Sequence, residues 1–452
     1  MKRNLKKGGF QEILIVALPM LLSMSFDTLM TFVSRLFLSR LSPEYMNAAL
    51  SGGLTQIMVL TFFTGLISYT TALVAQNFGA NLHQNVAKVL TQALLLSFIS
   101  APLLLLLKPL GFFMLSFGEI NPIQLEAQKS YFNFLIYGSI FSLLRHSFSC
   151  FFSGIGKTKI VMQAAFIGMG INIILNYVFI FGHFFIPPMG IQGAALATIV
   201  SNASSMSILA FAYFSKKQNS LFNTRHSFVF HKKLFLELVR KGSSTGTEMF
   251  LNMLAFQSLI LLFHGLGPTV ATASTIMFNW DMVSFVPLLG LEVATMSLVG
   301  RYVGAKDIKA AHRATQSALL LGFSYTLILA AIFVSIPEYL VNVFKPELNI
   351  SVFRESTPLA IFMLKLAAVY VITESFMLVF AGALRGAGDT FWVMIAMISL
   401  NWMATIFLWF STYYLKLGPY IGWLSVVFAF LCFPVILFMR YRSGKWHHKI
   451  SL

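Results

Sequence analysis

The sequence predicts an all-α, polytopic membrane protein built from two related halves. Composition points there first: 57% of the 452 residues are hydrophobic and 10% are charged, where an ordinary soluble domain carries about 25% charged residues. Twelve segments are long and apolar enough to cross a bilayer, which takes about 20 residues each. The third observation is an internal echo. Leu73-Val-Ala-Gln-Asn-Phe-Gly-Ala80 returns 225 residues later as Leu298-Val-Gly-Arg-Tyr-Val-Gly-Ala305, and Ala93–Phe98 returns as Ala318–Phe323. A second echo, Gly154-Ile-Gly-Lys-Thr158 against Gly386-Ala-Gly-Asp-Thr390, has a slightly larger offset. A doubled membrane bundle is a common plan for a transporter.

The predicted spans are 13–36, 48–74, 87–107, 128–153, 160–182 and 191–214 in the first half. Those of the second half are 243–264, 270–299, 314–336, 358–383, 391–413 and 417–439. The first follows a basic start (Lys2, Arg3, Lys6, Lys7) with no small-residue cleavage site, so no cleavable signal is expected. The longest polar stretch, Ser215 to Gly242, separates six spans from six. It divides the chain into an N-lobe (1–214), a basic cytoplasmic linker (215–242), a C-lobe (243–440) and a basic tail (441–452). Within the linker, Lys232–Lys241 is expected as an amphipathic surface helix.

Net charge is +17, but the bases are not spread like a nucleic-acid footprint. Most of the 32 Lys and Arg fall on the side that holds both termini and the linker. The positive-inside rule makes that side cytoplasmic, in a multi-pass protein of the cell inner membrane, and the basic excess suits contact with anionic lipid. No nucleic-acid partner is expected. The two cysteines, Cys150 and Cys432, lie in apolar segments and build neither a disulfide framework nor a metal cluster. The nine histidines are scattered, with no zinc-binding pair and no nucleophile–base constellation, so no enzyme and no cofactor are expected.

A charge inside a span costs roughly 2.5–3.5 kcal/mol on insertion scales and generally faces a cavity. Five acids fall within spans: Asp27, Glu248, Asp281, Glu292 and Glu374. Helical spacing groups Glu248 with Asn252 on span seven and Tyr370 with Glu374 on span ten, while Asn279 and Asp281 lie near the middle of span eight. Residue counting puts Glu248 and Glu374 at comparable depths. A carboxylate pair with amide and phenol oxygens nearby suits a hard cation. It equally suits a proton, because burial and a like charge both disfavour ionised carboxylates. The expected coupling site is therefore Glu248, Glu374, Tyr370, Asn279 and Asp281, with Na⁺ or H⁺ as coupling ion. The alternative is that each acid is paired with a fixed base or hydrogen-bonded as part of the structure.

A second polar cluster is expected in the N-lobe: Asp27 and Ser34 share a face of span one, Asn172 and Asn176 share a face of span five, and Thr198 lies on span six. Asn and Thr also serve as interhelical hydrogen-bond glue. At the 225 offset Asp27 faces Asn252 and Ser23 faces Glu248, whereas Glu374 faces Ser142 at the other offset. The second carboxylate thus belongs to the C-terminal half alone. Two bases fall inside the predicted spans more than one residue from an end: Arg145, able to neutralise a carboxylate or meet an anionic group, and Lys365, placed to snorkel. Pro19, Pro102, Pro287 and Pro434 permit bends. The 47 Phe and 22 Met include candidates for a loose, polyspecific cavity.

The chain resembles the multidrug and toxic compound extrusion (MATE) transporters over essentially its whole length. The resemblance is carried by Ala17-Leu-Pro-Met20, Leu73–Ala80, Leu175-Asn-Tyr-Val-Phe-Ile-Phe-Gly182, Gly190-Ile-Gln-Gly-Ala-Ala-Leu-Ala-Thr198, Leu298–Ala305 and Gly382-Ala-Leu-Arg-Gly-Ala-Gly-Asp-Thr390, in that order. It implies two six-helix lobes with pseudo-twofold symmetry, in a monomer that exports small organic, often cationic, compounds in exchange for Na⁺ or H⁺ by alternating access. It also implies cation-site roles for Glu248, Glu374, Tyr370 and Asn279, although the span-ten acid of the family is more often Asp. The first half departs from the pattern. Where the family has Asp in span one, this chain reads Phe32-Val-Ser34, and its carboxylate sits two turns back at Asp27. A lipid-linked oligosaccharide or other lipid flippase of the same superfamily is the rival reading, with Arg145 as its attraction for an anionic lipid.

Overall fold

The computed structural model describes residues 6–116, 122–183, 185–345 and 350–448. Lys2 and Arg3 of the basic start and Lys449 of the tail lie outside them. The described chain is helical throughout, and twelve long helices carry it. They are α1 (Phe10–Ser39), α2 (Pro43–Ser68, extended past Tyr69 by Thr70–Gly79), α3 (His83–Leu106), α4 (Pro122–Gly154), α5 (Thr158–Phe181) and α6 (Gly190–Tyr213). The second half supplies α7 (Lys232–His264), α8 (Pro268–Gly304), α9 (Ile308–Ser335), α10 (Ile350–Gly386), α11 (Thr390–Trp409) and α12 (Pro419–Arg442). Eleven are apolar and long enough to cross a membrane. The other, α4, is just as long but carries Glu126, Lys129 and Arg145. These are the twelve spans of a multi-pass membrane protein.

The helix ends follow local chemistry. Ser42 caps α2 by accepting the Tyr45 amide, with Pro43 in the first turn, where a missing N–H costs nothing. Asp307 caps α9 through the Ala310 amide. The sequence echoes reappear as matched backbone turns. Leu82 donates to Asn77 and Asp307 to Tyr302, around left-handed Asn81 and Lys306. At the second echo Lys157 donates to Phe152 and Asp389 to Leu384, around left-handed Gly156 and Gly388. Each pair closes a helix with the same reverse hydrogen bond, so the repeated residues hold a repeated turn.

The chain forms two compact units: Leu22–Thr247, and Met1–Leu21 with Glu248–Leu452. The divisions fall inside α1 and α7, and glycines explain why. In α7, a Cβ at Gly242 would lie 2.3 Å from the Leu66 carbonyl oxygen, and one at Gly246 would lie 2.4 Å from that of Phe62. Bare backbone there lets the start of α7 seat directly on α2. In the same way Gly290 of α8 admits the backbone of Leu21, with 2.8 Å from its Cβ position to the Leu21 nitrogen. The start of α1 is further tied within its unit by Glu12, which receives the Tyr302 hydroxyl and the Gly8 amide and faces Arg301.

Lys232–Lys241 is helical and amphipathic, with Lys232, Lys233 and Arg240 exposed and Leu234 and Leu238 buried, and it forms the first part of α7. Gly242 does not break the helix because its missing side chain is used for packing. The segment before it is held within the first unit: Thr91 donates to the Ser227 carbonyl, Gln92 to that of Val229, and Lys157 to the Gln218 side chain at 2.9 Å. Burial, with Lys217 nearby, pulls the Lys157 ammonium below the usual lysine range. The first unit buries Leu38, Ala49, Tyr131, Leu135, Ile180 and Ala194 in one cluster. The second has two clusters, one around Ala17, Leu298, Leu384 and Trp446 and one around Phe263, Met277, Val371 and Trp423.

Candidate functional site

Three arrangements of polar side chains stand out, two in the second unit and one in the first. The first is built by α8 and α10. Tyr370 donates its hydroxyl to Asp281 Oδ1 at 2.7 Å and touches Met277 Sδ at 3.2 Å. Its ring stacks on Phe430 and meets Trp423 edge-on, so the phenol is fixed. Glu374 lies one turn further along α10, and its carboxyl is within Coulombic range of both Asp281 and Tyr370. Asp281, Tyr370 and Glu374 are 8%, 2% and 5% exposed, and Glu374 Oε2 is buried without a hydrogen-bond partner. Among the described residues no base forms an ion pair with either carboxylate.

The second is a buried triad. Arg385, near the end of α10, reaches Glu248 of α7 and Glu292 of α8 with its two terminal nitrogens. Gly382 and Gly386 make this possible: Cβ atoms there would lie 2.6 Å and 2.5 Å from the Glu292 and Met296 carbonyl oxygens, so α8 and α10 meet backbone to backbone beside Arg385. The triad leaves one negative charge in excess, and Glu248 Oε2 lacks a hydrogen-bond partner.

These contacts alter the expected pairing. Glu248 bonds Arg385, whereas the neighbours of Glu374 are Asp281 and Tyr370. Glu248 thus meets a fixed base, and of the five acids in the predicted spans Asp281 and Glu374 form no ion pair among the described residues. Glu292, near the end of α8, is buried and ion-paired. Asn279 donates to the Thr275 carbonyl of its own helix at 2.8 Å, and Asn252 accepts from Asn401 at 3.1 Å. Sequence reasoning misses Arg385 because it ends span ten at residue 383. The arginine inside the Gly382–Thr390 phrase was the available signal.

The third arrangement lines a cavity of about 260 Å³ in the first unit. Arg145 of α4 grips Asp27 of α1 with two hydrogen bonds, of 2.9 Å and 3.1 Å. Thr198 of α6 lines the same cavity, as do Ser34 and Arg35 of α1. Ser34 is also part of a buried amide network. Asn176 donates to Ser34 Oγ at 2.9 Å and to Asn172 Oδ1 at 2.7 Å, tying α5 to α1. The five expected N-lobe residues therefore divide between an ion pair, an interhelical network and the cavity wall. Lys365 is exposed.

Comparison with known proteins places the chain. The MatE family model matches residues 19–178 and 245–410. The multidrug resistance protein NorM of Photobacterium profundum is 26% identical over 444 residues, covering 96% of this chain and 95% of that protein. Among solved structures, a transporter of the MOP superfamily from Pyrococcus furiosus, described as having a binding pocket of reverse polarity that suggests a different function, superposes with a TM-score of 0.87 at 20% identity. That match covers 98% of this chain and 99% of the other. A MATE protein in the bent conformation gives 0.86 at 21% identity, over 96% and 95% of the two chains. An outward-facing multidrug resistance MATE transporter gives 0.84 at 21%, over 97% and 96%. With its two matched halves, twelve spans and full-length likeness to these proteins, the chain belongs to the MatE family, the multidrug and toxic compound extrusion transporters.

Proposed function

We propose that the protein is a secondary active antiporter of the cell inner membrane, with both termini cytoplasmic, that exports small organic, often cationic, compounds in exchange for Na⁺ or H⁺. The observation that carries this reading is the Asp281–Tyr370–Glu374 cluster, with two buried carboxylates, a buried acceptor oxygen without a donor and, among the described residues, no base. Buried charge without compensation is expensive, so this cluster asks for a positive ion. Two carboxylates and one phenol are too few oxygens for the six- to eight-fold shell of Ca²⁺, but they suit a proton or a monovalent cation.

In the proposed cycle the cluster takes its ion from outside, and neutralisation favours the state that releases the exported molecule outward. Release of the ion to the cytoplasm restores the charge and favours recapture. One charge moving inward gains about 2.3 kcal/mol per 100 mV. Tyr370 orients the Asp281 carboxylate. Glu248 is held by Arg385, eleven residues along α10 from Glu374 and so about 16 Å away along the helix, and is not a partner in the ion site. The flippase reading rested on the attraction of Arg145 for an anionic lipid, and Asp27 already neutralises that arginine.

The test is export of a cationic dye by everted vesicles with Na⁺ and pH gradients imposed separately. One gradient should drive export in the wild type, and Asp281→Asn and Glu374→Gln should abolish the driven component. Driven export that survives both substitutions would sink the assignment. No export under either gradient would favour the flippase.

A further inference from the structure

We infer that the cavity of the first unit binds an organic molecule through a single anionic group, most simply a carboxylate, with Arg35 as its anchor. The cavity is walled by α1, α2, α4 and α6, and its 260 Å³ is close to the lower end of small-molecule pockets. Its charge is what selects the ligand. Asp27 accepts two bonds from Arg145, so that pair is neutral, and a cationic ligand finds its carboxylate already occupied. Arg35 lies two turns further along the same helix and opens onto the same cavity. Among the described residues it forms no ion pair, and Asp27, already paired, is the one acid among the residues that line the cavity. The cavity thus carries an uncompensated guanidinium.

Arg35 is only partly exposed, and in such a setting an anion gains more than it would in open water. A guanidinium fork matches a carboxylate with two parallel hydrogen bonds. Gln56 and Asn202 supply neutral polar groups around it, and Ile57 and Leu60 offer an apolar wall for the body of the ligand. The site lies in a different unit from the proposed ion cluster and has the opposite charge. It goes beyond the exporter reading and does not depend on which ion drives transport.

The experiment uses the full-length protein in phosphatidylcholine nanodiscs and a matched pair of environment-sensitive probes: 7-dimethylaminocoumarin-4-acetic acid and its methyl ester, which lacks the charge. The acid should bind the wild type. Arg35→Gln should weaken it about 10- to 100-fold, the range for a charge-assisted hydrogen bond, with part of the loss recovered in Arg35→Lys. Asp27→Asn should tighten it, because Arg145 is released. Opposite shifts in the two variants cannot come from misfolding. Binding of the ester should be unchanged by Arg35→Gln. An Arg35→Gln effect equal for acid and ester, or absent for the acid, would overturn the proposal. Displacement of the acid by dioctanoyl phosphatidylglycerol would replace the dissolved carboxylate with a lipid phosphate as the ligand, whereas failure to displace it supports the carboxylate. Because binding is read without transport, it can succeed or fail independently of the dye-export assay.

Discussion

Replacing Arg385 with methionine tests the triad. Arg385, Glu248 and Glu292 are 8%, 1% and 9% exposed, so bulk water cannot take over the role of the lost guanidinium. Removing one partner of a buried ion pair costs about 3–5 kcal/mol, mostly because a charge is left behind. Here two carboxylates lose their common base, so Arg385→Met belongs at the upper end of that range. Glu292→Gln is the informative contrast. It removes the excess negative charge and leaves the neutral Arg385–Glu248 pair, so it should shift stability by less than about 1 kcal/mol. The triple variant Arg385→Met/Glu248→Gln/Glu292→Gln holds no buried charge at these positions and should regain most of what Arg385→Met loses. Unfolding in mixed detergent–SDS micelles, followed by tryptophan fluorescence, measures all three. An Arg385→Met protein within about 1 kcal/mol of wild type, or a triple variant no more stable than Arg385→Met, would refute the reasoning.

Four further outcomes follow from the geometry and use the same unfolding assay. Asp27→Asn strands the half-buried Arg145 and should cost about 1–3 kcal/mol, with Asp27→Asn/Arg145→Met closer to wild type; equal losses in the two would contradict the pairing. Gly246→Ala puts a methyl against the Phe62 carbonyl and should cost about 1–3 kcal/mol. By contrast, Gly170→Ala in α5 meets nothing within 4 Å and should stabilise by roughly 0.5–1 kcal/mol. Asn176→Leu removes the hydrogen bond from α5 to Ser34 of α1 and the one to Asn172 within α5 and should cost about 1–2 kcal/mol; no loss would mean that the network is incidental.

Much of the fold was legible in the sequence because its signals are one-dimensional. Apolar length gives spans. The echoes Leu73–Ala80 and Gly154–Thr158 give the duplication, and their meaning is local, since each marks the same left-handed turn at a helix end. Basic residues give sidedness. The site was only half legible for a physical reason. Helical spacing shows which side chains share one helix face, so Tyr370 and Glu374 were readable as a pair, and Asp281 as a nearby candidate. It does not show which faces of different helices meet. Glu248 and Arg385 are 137 residues apart, on α7 and α10, and the same arginine meets Glu292 where Gly382 and Gly386 let α8 and α10 touch. The same limit hid Arg35, whose importance comes from what Asp27 and Arg145 do to each other. Lys232–Lys241 is helical and amphipathic, with Lys232, Lys233 and Arg240 exposed and Leu234 and Leu238 buried, but its spacing does not show that it runs on unbroken into span seven.

The most direct test of the proposed coupling is ion release by the purified protein when the exported compound binds. A pH-sensitive dye in weak buffer reads proton release, and displacement of radioactive Na⁺ reads sodium release. Adding a cationic substrate should expel one of these ions from the wild type. Glu374→Gln and Asp281→Asn should lose the release, while Glu292→Gln keeps it. Ion release that persists undiminished in Glu374→Gln and Asp281→Asn would place the coupling site elsewhere and contradict the proposed mechanism.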